Sequence, residues 1–242
     1  MDAVFTKDLT KKYKDKTAVD RLNLTVKEGE LFALLGVNGA GKTTTIRMLT
    51  CLSTPTGGEA YVFGHDVVKE PDAVKKLAGI STQDTAVAAN LTVRENLEFM
   101  AGIYGLNDDK ETAGRVNRMT ELFGFGEVIN KRAGKLSGGW QRKLSIAMAL
   151  IGDPKIIYLD EPTLGLDVLA RRELWKIIEE LKGKKTVILT THYMEEAEAL
   201  ADRIAVMIDG KVAATGTLSE LEELTGCKGL ENVFVSIAEQ RI

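Results

Sequence analysis

Leu31-Phe32-Ala33-Leu34-Leu35 runs directly into Gly36-Val37-Asn38-Gly39-Ala40-Gly41-Lys42-Thr43, and from there into Thr44-Thr45-Ile46-Arg47-Met48-Leu49. The first five residues are apolar without alternation, the pattern of a strand buried on both faces of a sheet. The last stretch places Ile46 and Leu49 at helical spacing. Between them lies the pattern G-x-x-x-x-G-K-[ST]. Its glycines let the backbone curl until consecutive N–H groups point at phosphate oxygens, and the helix that follows adds the positive end of its dipole. Lys42 then reaches the β- and γ-phosphates, and the Thr43 hydroxyl is available to Mg2+. Strand, glycine-rich loop and helix in this order predict a nucleoside-triphosphate site. Gly36, Asn38, Gly39, Ala40, Gly41, Lys42, Thr43 and Thr44 are its expected phosphate-binding residues.

Working outward, two further continuous apolar runs read as strands of the same parallel sheet: Ile156-Ile157-Tyr158-Leu159 and Thr186-Val187-Ile188-Leu189-Thr190. The first ends in Asp160-Glu161. A carboxylate at the carboxyl end of a strand faces the ligand crevice of an open α/β sheet, so Asp160 is expected to hold Mg2+ through a water. Glu161, one residue on, is expected to point elsewhere and to act as general base on an attacking water. Between the strands, Thr92-Val93-Arg94-Glu95 forms a capping box, followed by Val93, Leu97, Met100, Ala101 and Tyr104 on one helical face. A helix after Asp167 carries Leu174, Ile177, Ile178 and Leu181 on one stripe. Ile204–Ile208, Asp209-Gly210 and Lys211-Val212-Ala213 read as a late β-hairpin. The reading is α/β with a helix-rich insertion at about 84–150.

Bulk properties bound the rest. The chain has 242 residues, 44% hydrophobic and 28% charged, which is ordinary globular usage and speaks against intrinsic disorder. A net charge of -3 argues against a protein that coats nucleic acid. The longest apolar run, Ile146 to Ile151, is far short of the ~18 residues of a membrane span. No secretory signal is read at the N-terminus, and Cys51 and Cys227 give neither a disulfide framework nor metal-ligand spacing. A cytoplasmic chain is expected.

Leu136-Ser137-Gly138-Gly139-Trp140-Gln141 narrows the choice. Serine and two glycines opening a helix make a second anion-binding terminus, which a single nucleotide does not need from the same chain. A second copy is the natural supplier of one of the two. With Gln83, the Asp160-Glu161 pair, Leu166-Asp167 and His192 in this order, the chain resembles the nucleotide-binding subunit of ABC transporters over essentially its whole length. His192 by itself would read as a packed or exposed histidine.

The resemblance implies a phosphate-loop ATPase core with a mostly parallel sheet, an antiparallel β subdomain and an inserted α-helical subdomain. Residues 1–220 would form the ATPase domain and 221–242 a short C-terminal tail. It further implies ATP as substrate, Mg2+ as cofactor, and two ATPase subunits (identical or related) pairing head to tail beneath transmembrane permease subunits. Tyr13 would stack on adenine. Gln83 would contact Mg2+ and the attacking water. Ser137, Gly138 and Gly139 would bind the γ-phosphate held by the opposite subunit. Asp167 would bridge the subunits, and His192 would contact the γ-phosphate and orient the water. Trp140 stands where many members have glutamine, and Thr82 where proline often precedes the glutamine. Gly64-His65-Asp66-Val67, Leu91–Leu97 and Leu230–Phe234 are similar to multidrug (ABC-2) exporters. Three other readings stay open: an importer ATPase, a soluble ABC-type ATPase acting on ribosomes or DNA, and a nucleotide-gated regulatory module. Against the ribosome or DNA reading, Lys42 and Ser137 lie too close together for a long coiled coil, and no sustained heptads separate them.

Overall fold

The structure is a computed structural model describing residues 1–239. In chain order its elements are β1 (Asp2–Tyr13), β2 (Lys16–Lys27), β3 (Leu31–Leu35), α1 (Lys42–Leu49), β4 (Gly57–Val62), β5 (His65–Asp66), α2 (Pro71–Leu77) and β6 (Ala78–Ser81). There follow α3 (Val93–Ile103), α4 (Asp109–Phe123), a 3-10 turn (Ala133–Lys135), α5 (Gly138–Leu150), β7 (Ile156–Asp160), α6 (Val168–Glu179), β8 (Thr186–Thr191) and α7 (Met194–Leu200). The chain closes with β9 (Arg203–Ile208), β10 (Lys211–Gly216), α8 (Leu218–Thr225) and α9 (Leu230–Ala238).

Two sheets organise these elements. An antiparallel sheet has the order β2-β1-β4-β5, and a six-stranded sheet has the order β10-β9-β3-β8-β7-β6. In the larger sheet every pairing is parallel except the β9–β10 hairpin. Strands β3, β7 and β8 are buried at every residue, as their unalternating sequences require. Both faces of these strands feed separate cores. Leu31, Ala33, Leu35, Ile157, Leu159, Val187 and Leu189 pack with Leu144, Ile146 and Ala147 of α5 and with Leu174 and Ile178 of α6. Phe32, Leu34, Ile156, Tyr158 and Ile188 point the other way, onto Ile46 and Leu49 of α1 and onto Val4, Leu22 and Val26 of the antiparallel sheet. The strand period of two thus splits one apolar run between two cores.

The capping box of Thr92 and Glu95 opens α3, and Asp209 and Gly210 take left-handed φ of 48° and 80° in the two-residue turn of the hairpin. That turn braces the glycine-rich loop: the Gly210 N–H donates to the Ala40 carbonyl at 3.1 Å, and the Gly210 carbonyl accepts from the Asp20 N–H at 2.8 Å. Between β6 and β7, where the sequence leads one to expect a helix-rich insertion, the chain forms α3, α4, the 3-10 turn and α5. The division expected after residue 220 falls within α8, and residues 240–242 of that tail lie outside the described residues.

Helix N-termini differ in how their unpaired N–H groups are treated. Side chains cap α3, α4, α6 and α8, and acids occupy the first turns of α2, α7 and α9. Among the described residues, α1 and α5 have neither a side-chain cap nor a first-turn acid. Their dipole ends are the ones left for an external anion.

Candidate functional site

The loop between β3 and α1 is held by contacts that only glycine permits. A Cβ on Gly36 would lie 2.5 Å from the Met207 carbonyl, and the Gly36 N–H donates to the Thr191 carbonyl at 3.2 Å. Gly41 has φ +103°, and a Cβ there would lie 2.5 Å from the Ala18 carbonyl. Lys42, 5% exposed, folds back over the loop: its Nζ donates to the Gly36 carbonyl at 2.6 Å and pairs with Glu161 Oε1 at 3.2 Å.

Asp160 ends β7, two strands from β3, and reaches the loop through the strand between them. Its Oδ1 accepts from Thr43 Oγ1 at 3.0 Å and from Thr190 Oγ1 of β8 at 2.6 Å. Glu161 departs from the direction read from the sequence. Strand alternation would send it away from the loop, but its φ of 50° ends the strand in a left-handed turn. The Glu161 N–H, held by Thr190 Oγ1 at 3.0 Å, fixes that turn, and the carboxylate enters the same cleft. There it lies between Lys42 and His192, whose Nδ1 is 2.8 Å from Glu161 Oε2. Glu161 therefore keeps its candidacy as a base from a different position.

Tyr13, Asn38, Gly39, Ala40, Gly41, Lys42, Thr43, Thr44, Gln83, Glu161 and His192 line one cleft of about 420 Å3. Tyr13 stands 45% exposed at its rim, with Lys11 Nζ 5.0 Å from the ring centroid. Gly36 is not part of the lining; it is buried behind the loop and makes the close packing possible. Ser137, Gly138 and Gly139 also lie outside this cleft, at the exposed start of α5. Asp167 is outside it too, and its Oδ1 accepts from the N–H groups of Leu169 and Ala170 to cap α6.

Three residues around the site escaped the sequence reading. Thr190 links Asp160 to Glu161. Glu196 of α7 accepts from Thr163 Oγ1 at 2.8 Å and from Trp175 Nε1 at 3.0 Å, while its Oε2 has no hydrogen-bond partner. Burial raises its carboxyl above the usual glutamate range. Arg142 of α5 is 4% exposed and donates to the carbonyl of Thr82 at 2.7 Å and to that of Gln83. Burial pulls its guanidinium below the usual arginine range, against the opposing pull of Asp160, Asp84, Glu161 and Glu196. No local sequence pattern singles out any of the three; Arg142 stands between Gln141 and Lys143 in α5 and reads there as one more polar residue.

The oxygens near the loop fit a hard cation. The Thr43 hydroxyl and the Asp160 carboxylate already meet at 3.0 Å, and no cluster of three or more His, Cys, Asp or Glu that could hold a metal occurs among the described residues. Mg2+ favours such a sparse set, one or two protein oxygens completed by substrate phosphates, over an all-protein cage.

A curled loop at a helix N-terminus, a buried lysine and a glutamate–histidine pair in one cleft, with a buried strand-end aspartate hydrogen-bonded to Thr43 of that loop, define a phosphate-loop nucleoside-triphosphate hydrolase. Residues 19–164 match the family described as ABC transporter. The daunorubicin/doxorubicin resistance ATP-binding protein DrrA of Streptomyces peucetius is 43% identical over 93% of this chain and 68% of its own length. The human phospholipid-transporting ATPase ABCA3 is 43% identical over 88% of this chain, which spans only 12% of that protein. The ATP-binding cassette MJ0796, solved as a dimer in a post-hydrolysis state bound to ADP and Pi, superimposes with a TM-score of 0.81 at 30% identity, covering 89% of this chain and 98% of that one. The chain belongs to the ABC transporter family, and its enzymatic class is that of an ATP hydrolase.

Proposed function

We propose that this chain is the ATP-binding and hydrolysing subunit of an exporter-type ABC transporter, working as a pair of cassettes that close head to tail around two ATP molecules. The observation that carries the proposal is the division of the anion-binding termini. Of the two helix ends left without cap or acid, α1 serves the cleft, whereas α5 presents Ser137 outside it. A second cassette turned head to tail would bring its own Ser137, Gly138 and Gly139 to the γ-phosphate in this cleft. The reading is further supported by the dimer in which MJ0796 was solved.

In this reading Tyr13 stacks on adenine, the loop N–H groups from Gly39 to Thr44 hold the phosphates, and Lys42 exchanges its contact with Glu161 for the γ-phosphate. Thr43, Asp160 and Gln83 would hold Mg2+, which supplies charge neutralisation on the β- and γ-phosphates. Glu161 accepts the proton of the attacking water. His192, hydrogen-bonded to Glu161, keeps that carboxylate in place and contacts the γ-phosphate, and Asp167 spans the dimer from its cap on α6. ATP gains its contacts with Ser137, Gly138 and Gly139 of the second cassette only in the closed state, so binding shifts the population toward closure and hydrolysis reverses it. Export is favoured by the kinship with the drug-resistance protein DrrA. No helix among the described residues is long and apolar enough to cross a membrane. By its membership of the ABC transporter family, we place the chain at the cytoplasmic face of a membrane, coupled to transmembrane subunits.

Affinity capture of the tagged chain from detergent-solubilised membranes, with its companions identified by mass spectrometry, tests this assignment. A multi-span membrane protein recovered in proportion to the chain is the expected result. Recovery with ribosomes or DNA, and with no membrane protein, would overturn it.

A further inference from the structure

Arg142 is buried in the second turn of α5, five residues beyond Ser137 in the sequence. Its two terminal nitrogens donate separately to the adjacent carbonyls of Thr82 and Gln83. These carbonyls belong to the segment that leaves β6 and delivers Gln83 to the cleft. A planar fork with fixed donor directions fits two successive carbonyls and fixes the orientation of the backbone between them, which a single ammonium cannot do. Among the described residues the Gln83 side chain has no hydrogen bond of its own; its segment is restrained by the arginine fork and by the Thr82 hydroxyl, which donates to the Asp84 carbonyl at 2.8 Å. The guanidinium also stands among Asp84, Asp160, Glu161 and Glu196, whose charges all act on it. Arg142 therefore ties the helix that presents Ser137 to the segment that presents Gln83, beyond the hydroxyl contact of Ser145 with Ser81 at 2.9 Å that joins the same helix to the end of β6.

We propose that Arg142 is a positioning residue: it sets how far Gln83 extends into the cleft and makes the start of α5 and the Gln83 segment move as one body. A shift of α5, when Ser137 meets a nucleotide in the opposite cassette, then reaches Gln83 of its own cleft through two hydrogen bonds. Arg142 is not part of the cleft lining; it acts through Gln83. The inference rests on the catalytic reading of Gln83 given above.

The test is a double-mutant cycle on the full chain, read as kcat and KM for Mg·ATP. Arg142→Lys keeps the charge among the acids and loses the fork, and Arg142→Gln serves as the second variant. Arg142→Lys is expected to lower kcat about tenfold and to leave KM within about twofold, because the phosphate loop is untouched. In a Gln83→Ala background the same substitution is expected to change kcat by less than about twofold, since the group it positions is gone. A full tenfold loss persisting in that background would overturn the positioning role while leaving Gln83 catalytic. Wild-type kcat in Arg142→Lys and Arg142→Gln would overturn it as well. A Gln83→Ala protein with wild-type turnover would reject the reading of Gln83 itself, and the proposal with it.

Discussion

Replacing Glu161 with glutamine separates two consequences of its position. The carboxylate is 5% exposed, 3.2 Å from Lys42 Nζ and 2.8 Å from His192 Nδ1. Glutamine is nearly the same shape. Its amide oxygen can still accept from Lys42, and its NH2 group can donate to His192 in the tautomer that leaves Nδ1 unprotonated, so the fold tolerates the change. What disappears is the charge. As general base its loss should cost about 10²–10⁴ in kcat, or roughly 2.7–5.4 kcal/mol of barrier. Binding should move the other way. At an effective dielectric of about 20, unit charges at the Lys42–Glu161 separation attract by roughly 5 kcal/mol before desolvation is counted. Desolvation of the two buried groups offsets most of that. A net competition on the order of 1–2 kcal/mol remains between Glu161 and the γ-phosphate for the same ammonium, so the variant should bind ATP about 5–30-fold more tightly. Titration calorimetry and a phosphate-release assay on one preparation read both effects. Turnover at the wild-type rate would remove Glu161 as the base, and weaker ATP binding would refute the competition for Lys42.

Three further outcomes follow from the same geometry. Lys42→Ala should abolish ATP binding in calorimetry, and retained affinity would contradict the role of the loop. Gly36→Ala drives a Cβ to 2.5 Å from the Met207 carbonyl and should cost about 1–3 kcal/mol in chemical denaturation; an unchanged midpoint would mean that β3 and β9 part freely. Burial raises the Glu196 carboxyl above 4.5, so near that pH and above it the folded chain retains a proton that the unfolded chain has released. Stability attributable to this group therefore falls as pH rises from about 4.5 to the raised folded value. Glu196→Gln keeps an acceptor for Thr163 and Trp175 and removes the titration, so its melting temperature should drop less than wild type as pH rises above about 4.5. Parallel profiles would show that Glu196 does not titrate in that window.

Much of this arrangement was legible because local rules and the global fold agree. The unalternating runs at β3, β7 and β8 read as strands covered on both faces, and the spacing of Gly36, Gly41, Lys42 and Thr43 between a strand and a helix reads as a curled phosphate-binding loop. Glu161 was located by motif but misdirected, because alternation holds only while the strand continues and a left-handed turn ends it at that residue. Arg142, Thr190 and Glu196 depend on contacts between segments distant in sequence, joined by side-chain hydrogen bonds that no local spacing encodes. Asp167 shows the opposite limit. Its position before a helix reads equally well as a cap and as a bridge between subunits; the single chain displays the cap.

Light scattering on Glu161→Gln protein, with and without Mg·ATP, tests the head-to-tail pairing most directly. A monomer without nucleotide and a doubling of mass at saturating ATP are expected, and adding Ser137→Glu should prevent the doubling by setting a carboxylate against the γ-phosphate. A monomer at saturating ATP, or a dimer indifferent to the charge at position 137, would contradict the claim that Ser137 of one copy completes the cleft of another.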